Sequence, residues 1–333
     1  MSRRTQLLIL VPLIVGITSG ISHLFARVAG FRTEAVTPLM FGASGLRTNA
    51  AAAGSSLMFY GINWSEVSKA LGVRIRGWAV PGGSVEEMEV LQRVVSPTGY
   101  SFLDVSINDL NNNYLSEFHA NVVPFRESIA GLVTSHAELS HARRVLSQYP
   151  LAYLRFLYPT AGRSTHVMVA VRTALRSLRP RSAAEPSDRA LLGNESNTHT
   201  ENITEWTPAR MERQLADARY GLTSRYEFHG TKRDALFRFL RRGAAQGKMI
   251  VLVIPESQTY RREFVTPDVL RRFDAILAEA RERTPEALWI RLDTVSALQS
   301  DTKYWDLVHL NAQGQASATE ALISQLKAAG VAR

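Results

Sequence analysis

Apolar and polar residues alternate from Val73 to Val80, and the pattern then turns helical behind Ser84-Val85-Glu86-Glu87, with Met88, Val90, Leu91 and Val94 on one face. The period of two predicts a strand, and a serine followed three residues later by glutamate predicts a capped helix start. Phe102 to Ile107 reads as the next short strand. Met249 to Ile254 is a continuous apolar run, the signature of a strand buried on both faces. Thr266-Pro267 then caps and starts a helix with Val269, Leu270, Phe273 and Leu277 inward, and Ala287 to Leu292 supplies another strand. Further upstream, Ala50 to Ala53 lead into Gly54-Ser55-Ser56 and a helical pattern carrying Leu57, Phe59, Val67 and Leu71. Strands alternating with helices predict a parallel sheet covered on both faces, with its site at the strands' carboxyl ends.

Two stretches depart from this pattern. From Thr5 to Ala26 no residue carries a formal charge, Leu7 to Val15 is strongly apolar, and Arg3 and Arg4 precede it. That length predicts a membrane anchor. It is read as uncleaved because no small-x-small site precedes Ala26 or Ala29. A cytoplasmic N-terminus with the globular part outside, in the periplasm, is the favoured orientation, although Arg27 and Arg32 nearly balance Arg3 and Arg4. Between Tyr114 and about Gly230 the chain is mostly helical, with arginine-rich amphipathic pieces at Ala142 to Phe156 and Val167 to Leu178, then a polar segment from Arg179 to Asn202. It reads as an insertion whose amphipathic pieces pack on the sheet, lie on a membrane surface or cover the sheet's site. The expected organisation is an anchor over 1–30, an α/β domain in two parts over 31–113 and 231–333, and the insertion over 114–230.

Composition narrows the function classes. The absence of cysteine excludes disulfides, zinc-thiolate sites and iron–sulfur clusters. A formal net charge of +9 comes largely from scattered arginines and suits an anionic polymer or lipid. No basic stripe is interleaved with aromatics, so nucleic acid is not an expected partner. His136 and His141 are five apart and share no helix face, so no metal is expected, and no cofactor either.

The chemistry concentrates in Trp305-Asp306-Leu307-Val308-His309-Leu310-Asn311, where an acid stands three residues before a histidine ahead of the last helix. Such an acid can orient and polarise an imidazole, which is half of a serine-hydrolase site. Ser56, at a strand-to-helix turn, is the candidate for the other half, because backbone N–H groups at a helix start favour a developing anion. Ser44, behind the apolar run Pro38 to Phe41, competes with it. Glu256, Ser257 and Tyr260 follow the Met249–Ile254 strand, as substrate contacts or as surface-loop residues.

Taken in order, Gly54-Ser55-Ser56, Pro81-Gly82-Gly83-Ser84, Asn108-Asp109 and Asp306-x-x-His309 resemble the four blocks of the SGNH (GDSL-like) hydrolase superfamily. Membrane-anchored members with a Gly-Ser-Ser first block and a following helix that ends in Leu-Gly, here Leu71-Gly72, are the most similar. The resemblance covers Ala50 to Asn113 and Lys248 to the C-terminus. It implies a three-layer α/β/α fold around a central parallel sheet, of the SGNH or flavodoxin-like kind. It also implies Ser56 as nucleophile, His309 as base, Asp306 as the orienting acid, and an oxyanion hole from the N–H groups of Ser56 and Gly83 with the side-chain amide of Asn108. The spacing between blocks favours Ser56 over Ser44. The third block departs from the family's pattern, with Ser106 where glycine is usual, and Asn111, Asn112 and Asn113 are alternative contributors or turn formers.

The expected function is that of a membrane-anchored serine esterase or O-acyltransferase acting on acetyl esters of a cell-envelope glycan or exopolysaccharide. A membrane acyltransferase is the expected partner on the donor side. The alternatives are a catalytically weak accessory protein of a membrane polysaccharide machine, motivated by Ser106 and the alanine-rich strand, and a lipid-directed lipase.

Overall fold

The computed structural model describes residues 3–28, 46–79, 82–114, 119–134, 139–158, short pieces between 207 and 216, and 226–332. Ser44, His136, the amphipathic piece Val167 to Leu178 and the polar segment Arg179 to Asn202 lie outside the described residues.

In chain order the elements are α1 (Arg3–Val28), β1 (Leu46–Gly54), α2 (Ser56–Gly61), α3 (Trp64–Leu71), β2 (Ile75–Ala79), α4 (Val85–Val94) and β3 (Val95–Val105). Four short helices follow, α5 (His119–Val122), α6 (Phe125–Thr134), α7 (Leu139–Leu146) and α8 (Tyr149–Leu157). The second part of the α/β domain supplies α9 (Thr231–Gln246), β4 (Lys248–Val253), α10 (Gln258–Phe264), α11 (Pro267–Arg283), β5 (Leu288–Arg291) and α12 (Ala312–Ala328). The strands form one five-stranded sheet in the order β2-β1-β3-β4-β5, with every pairing parallel. This is the doubly wound order in which the strand sequence reverses at β1/β3, the place beyond the strands' carboxyl ends where sheets of this order bind ligands.

The period of two sorts the sheet's side chains into two cores. Ala50, Ala52, Phe102, Ile250, Leu252 and Ile290 pack with α2, α3 and α12 through Met58, Trp64, Leu322 and Leu326. Ala51, Ala53, Leu103, Val105, Val251 and Val253 pack with α4, α9 and α11 through Met88, Leu236, Leu240, Phe273 and Leu277. Helices therefore cover both faces. Alanine is a weak strand former, yet Ala50 to Ala53 lie inside β1 and are buried. Ladders to β2 on one side and β3 on the other hold that strand, and packing overrides propensity.

Several helix boundaries differ from expectation. The pattern after Ser56 is not one helix: it breaks at Ile62-Asn63, where the Asn63 side chain accepts from the Ser65 and Glu66 amides and starts α3. The amphipathic stretch Ala142 to Phe156 is likewise divided between α7 and α8, with Pro150 in the first turn of the latter. The residues of α1 occupy the expected anchor, and side chains are described over 10–23. Among the described residues, no helix is long and apolar enough to cross a membrane.

The predicted capping box does more than start α4. The Glu87 carboxylate accepts from the Ser84 amide and hydroxyl, both at 2.6 Å, and pairs through its other oxygen with His119 Nδ1 at 2.6 Å. His119 Nε2 meets Ser128 Oγ at 2.9 Å, so the box ties α5 and α6 to the sheet. Burial alone would raise Glu87, but the hydrogen bond and charge of His119 hold it below its ordinary value, while the same pair lifts His119 against the opposing effect of burial.

Phe102 is fully buried at the centre of one core, with its ring 5.2 Å from that of Trp64. Phe102→Ala is expected to lower unfolding free energy by about 3–5 kcal/mol, as read from the urea midpoint at constant m value.

Candidate active site

The β1–α2 turn is set by a close approach. Asp104, a lone carboxyl within β3, accepts the Ser55 amide at 3.1 Å, with its second oxygen 3.5 Å from Ser55 Oγ. A Cβ on Gly54 would lie 1.7 Å from Asp104 Oδ1, so glycine at this position leaves the space that the Asp104 carboxyl occupies beneath the turn. Ser55 then caps α2 by accepting the Leu57 amide at 3.3 Å, which leaves Ser56 as the helix's first residue. Ser56 is half-buried at the carboxyl end of β1.

The loop before α12 delivers the other two groups. The Trp305 amide donates to the His309 carbonyl at 3.0 Å and the Asn311 amide to the Lys303 carbonyl at 2.8 Å, which closes a tight hairpin-like turn. Within it Asp306 Oδ1 accepts the Val308 and His309 amides at 2.8 and 2.6 Å, and Oδ2 lies 2.6 Å from His309 Nδ1. His309 Nε2 lies 2.7 Å from Ser56 Oγ. Three side chains thus form one hydrogen-bonded chain. Burial pushes the Asp306 carboxyl up, but the bond and charge of His309 and the two amides bring it below the usual value on balance. Aromatic rings hold the imidazole from two sides. Trp305 stacks on it at a centroid distance of 5.3 Å, and Tyr60 meets it edge-on at 5.3 Å.

The Gly83 and Asn108 blocks follow β2 and β3, the strands flanking β1, so both loops sit at the same end of the sheet as Ser56. The Val85 amide donates to the Asp109 carbonyl at 3.4 Å and joins them. Gly83 is buried, and its neighbour Gly82, at φ 59°, gives its carbonyl to the Tyr114 hydroxyl at 2.9 Å. Asn108 is half-buried, and its Oδ1 accepts the Tyr260 hydroxyl at 3.0 Å.

Ser106 closes the third loop where glycine was expected. Its hydroxyl accepts the Asp109 amide at 3.3 Å, and Asp109 Oδ2 accepts the Ser106 amide at 2.7 Å. Asn111 and Asn112 turn out to anchor the returning chain: Asn111 Oδ1 accepts the Glu227 amide at 3.0 Å, and the Asn112 amide donates to the Glu227 carbonyl at 2.6 Å. The Asn113 amide donates to Asn111 Oδ1 at 3.1 Å in the same turn. Glu256, Ser257 and Tyr260 are not surface-loop residues, since all three are buried. Glu256 accepts the Ile107 amide at 3.3 Å, Ser257 caps α10, and the Ser257 amide donates to the Leu307 carbonyl at 3.1 Å, which fastens the histidine loop to β4.

Asp104 and Tyr60 have no place in the sequence analysis, and Tyr260 stands there as a substrate contact or surface-loop residue rather than as a partner of Asn108. The signal for Asp104 was a single acid inside an apolar strand; the two tyrosines gave none, because only the fold brings them beside His309 and Asn108. Among the described residues, Glu86, Glu87 and His119 are a group with metal-ligand atoms within 4.8 Å of one another. The Glu87 oxygens and both His119 nitrogens are engaged in the Ser84–Glu87–His119–Ser128 bonds already described, and Glu86 Oε2 lies 3.8 Å from His119 Nδ1.

No protein-family model and no curated protein matches the chain. A solved structure from Streptococcus pneumonia, provisionally named a platelet activating factor, is similar at 10% identity over 98% of this chain and 100% of that one, with a TM-score of 0.36. A superposition that loose assigns neither fold nor chemistry.

Two carboxyls beside the site carry a pH signature. Burial drives Asp104 well above the usual carboxylate range, with Asp109 adding to the rise against the bonds from Ser55. Burial also lifts Asp109 to about 7, against its bonds with Ser106 and the charge of Lys232. An aspartate in the unfolded chain titrates near ~4, so between these values the folded state holds the extra proton. Stability is then fullest below ~4 and declines as pH rises toward 7. Asp109→Asn keeps an acceptor for the Ser106 amide and removes the ionisation. The wild-type melting temperature should fall from about pH 4.5 to about pH 7.5, and the variant's should fall less; equal slopes would contradict this assignment.

Proposed function

We propose that the chain is a membrane-tethered serine esterase or O-acyltransferase of the SGNH (GDSL-like) type, acting on acyl esters of a cell-envelope glycan. The observation that carries this reading is the Asp306–His309–Ser56 chain, with links of 2.6 and 2.7 Å. His309 takes the Ser56 proton as Oγ attacks the ester carbonyl, and Asp306 steadies the imidazolium that forms. The N–H groups of Ser56 and Gly83 and the Asn108 amide receive the oxyanion, each donor contributing about 2.7–4 kcal/mol to lowering the barrier. His309 then returns the proton to the leaving alcohol, and an acyl-Ser56 ester remains. Water resolves it in an esterase, a sugar hydroxyl in a transferase, and His309 removes the proton of either.

The membrane and glycan parts have separate support. Leu10, Val11, Leu13, Ile14, Ile17 and Ile21 of α1 are all exposed, and no formal charge interrupts Thr5 to Ala26. A helix apolar on its solvent side suits lipid. A net charge of +9 suits an anionic polymer, and a membrane acyltransferase supplying acyl groups fits a tethered transferase.

The full chain in detergent should hydrolyse a short-chain acetyl ester. Ser56→Ala and His309→Ala should each reduce kcat about a thousandfold or more, and Asp306→Asn about a hundredfold or more. Wild-type rates in Ser56→Ala would exclude this nucleophile and direct attention to Ser44. A wild type without turnover on the ester that still transfers acyl groups from a donor lipid to glycan in membranes would identify the transferase; inactivity in both assays would overturn the proposal.

A further inference from the structure

Asn108 does not stand alone. Its Oδ1 accepts the Tyr260 hydroxyl at 3.0 Å, and the Tyr260 hydroxyl lies 2.7 Å from that of Tyr226. Tyr260 and Tyr226 are buried, at 1% and 5% exposure, so neither hydroxyl can rely on bulk water to satisfy its hydrogen.

The polarity of this chain follows from counting hydrogens. An amide oxygen only accepts, so Tyr260 gives it its one hydrogen, and Tyr226 in turn donates to Tyr260 Oη. Every hydroxyl hydrogen is then used. With the amide turned over, Nδ2 would donate to Tyr260 and Tyr260 to Tyr226, and the Tyr226 hydrogen would have no acceptor among the described residues. An orphaned buried donor is costly. The tyrosine pair therefore selects the rotamer in which Oδ1 is occupied and both Nδ2 hydrogens are left to donate to another acceptor.

The two tyrosines come from different parts of the chain. Tyr260 lies on α10, behind β4, whereas Tyr226 lies where the insertion returns, next to Glu227, whose amide and carbonyl bind Asn111 and Asn112. We propose that Tyr260 is a positioning residue that fixes the Asn108 amide as an oxyanion donor, and that Tyr226, carried by the returning insertion, sets the polarity of that bond. This rests on the acyl-transfer reading of the site, with Asn108 as a donor.

Hydrolysis of a p-nitrophenyl acetyl ester by the full chain tests the inference as a double-mutant cycle. Asn108→Ala should lower kcat about a hundredfold or more. Tyr260→Phe should lower kcat about tenfold with KM unchanged, and Tyr226→Phe by a smaller factor. In the Asn108→Ala background neither tyrosine substitution should have any further effect, because the group they act through is gone. Losses that multiply in that background, or an unchanged kcat for Tyr260→Phe, would overturn the positioning role. So would an unchanged kcat for Asn108→Ala when Ser56→Ala is dead. Wild-type rates in Ser56→Ala would instead sink the acyl-transfer reading itself, and the inference with it. If Tyr260→Phe lowers the melting temperature too far to assay, Tyr226→Phe alone and in the Asn108→Ala background reads the same coupling.

Discussion

The Asp104 carboxyl seated beneath the β1–α2 turn holds the site in place. Asp104 reaches under the β1–α2 turn to take the Ser55 amide, and Gly54 leaves the space for it. A helix start needs acceptors for its first amides. Here Ser55 is both held from below and free to cap Leu57, so Ser56 emerges at a fixed height and angle at the switch point of the sheet. Burying a carboxyl there raises its affinity for a proton, and its two oxygens accept from the Ser55 amide and hydroxyl.

Around that turn the loops are fastened to one another. The Gly83 and Asn108 loops are joined by the Val85 amide, the Asn108 loop and β4 by Glu256 on the Ile107 amide, and β4 and the histidine loop by the Ser257 amide. Each bond is modest in net free energy, about 1 kcal/mol, but each removes a direction in which a catalytic group could drift. Chemistry at any such site is sensitive to drift, since displacement by about 1 Å can cost a hundredfold in rate. Residues between β3 and α9 enter the same network through Glu227, Tyr226 and the Glu87–His119 pair, so that segment braces the site.

Local pattern carried a good part of this architecture. The apolar run of β4, the Ser84–Glu87 box, the Thr266 cap and the Asp306–His309 spacing all appear where the pattern placed them, because each depends on neighbours within a few residues. The break at Asn63 is masked in the pattern by the helical spacing of Leu57, Phe59, Val67 and Leu71, which runs across it although Asn63 and Glu66 stand three apart. Tyr260 and Glu256 read as loop residues because a position after a strand is usually exposed, whereas α10 folds back and buries them.

The strand and helix alternation, the caps and the identity of the acid and histidine are written locally, since these follow from periodicity and short-range hydrogen bonding. The meeting of Ser56 with a histidine 253 residues away, the seat that Asp104 gives the turn and the bond between Tyr260 and Asn108 come only from the folded arrangement. Those contacts exist because parallel strands bring the carboxyl ends of distant segments together at one edge of the sheet. No local pattern encodes which of those segments will be neighbours.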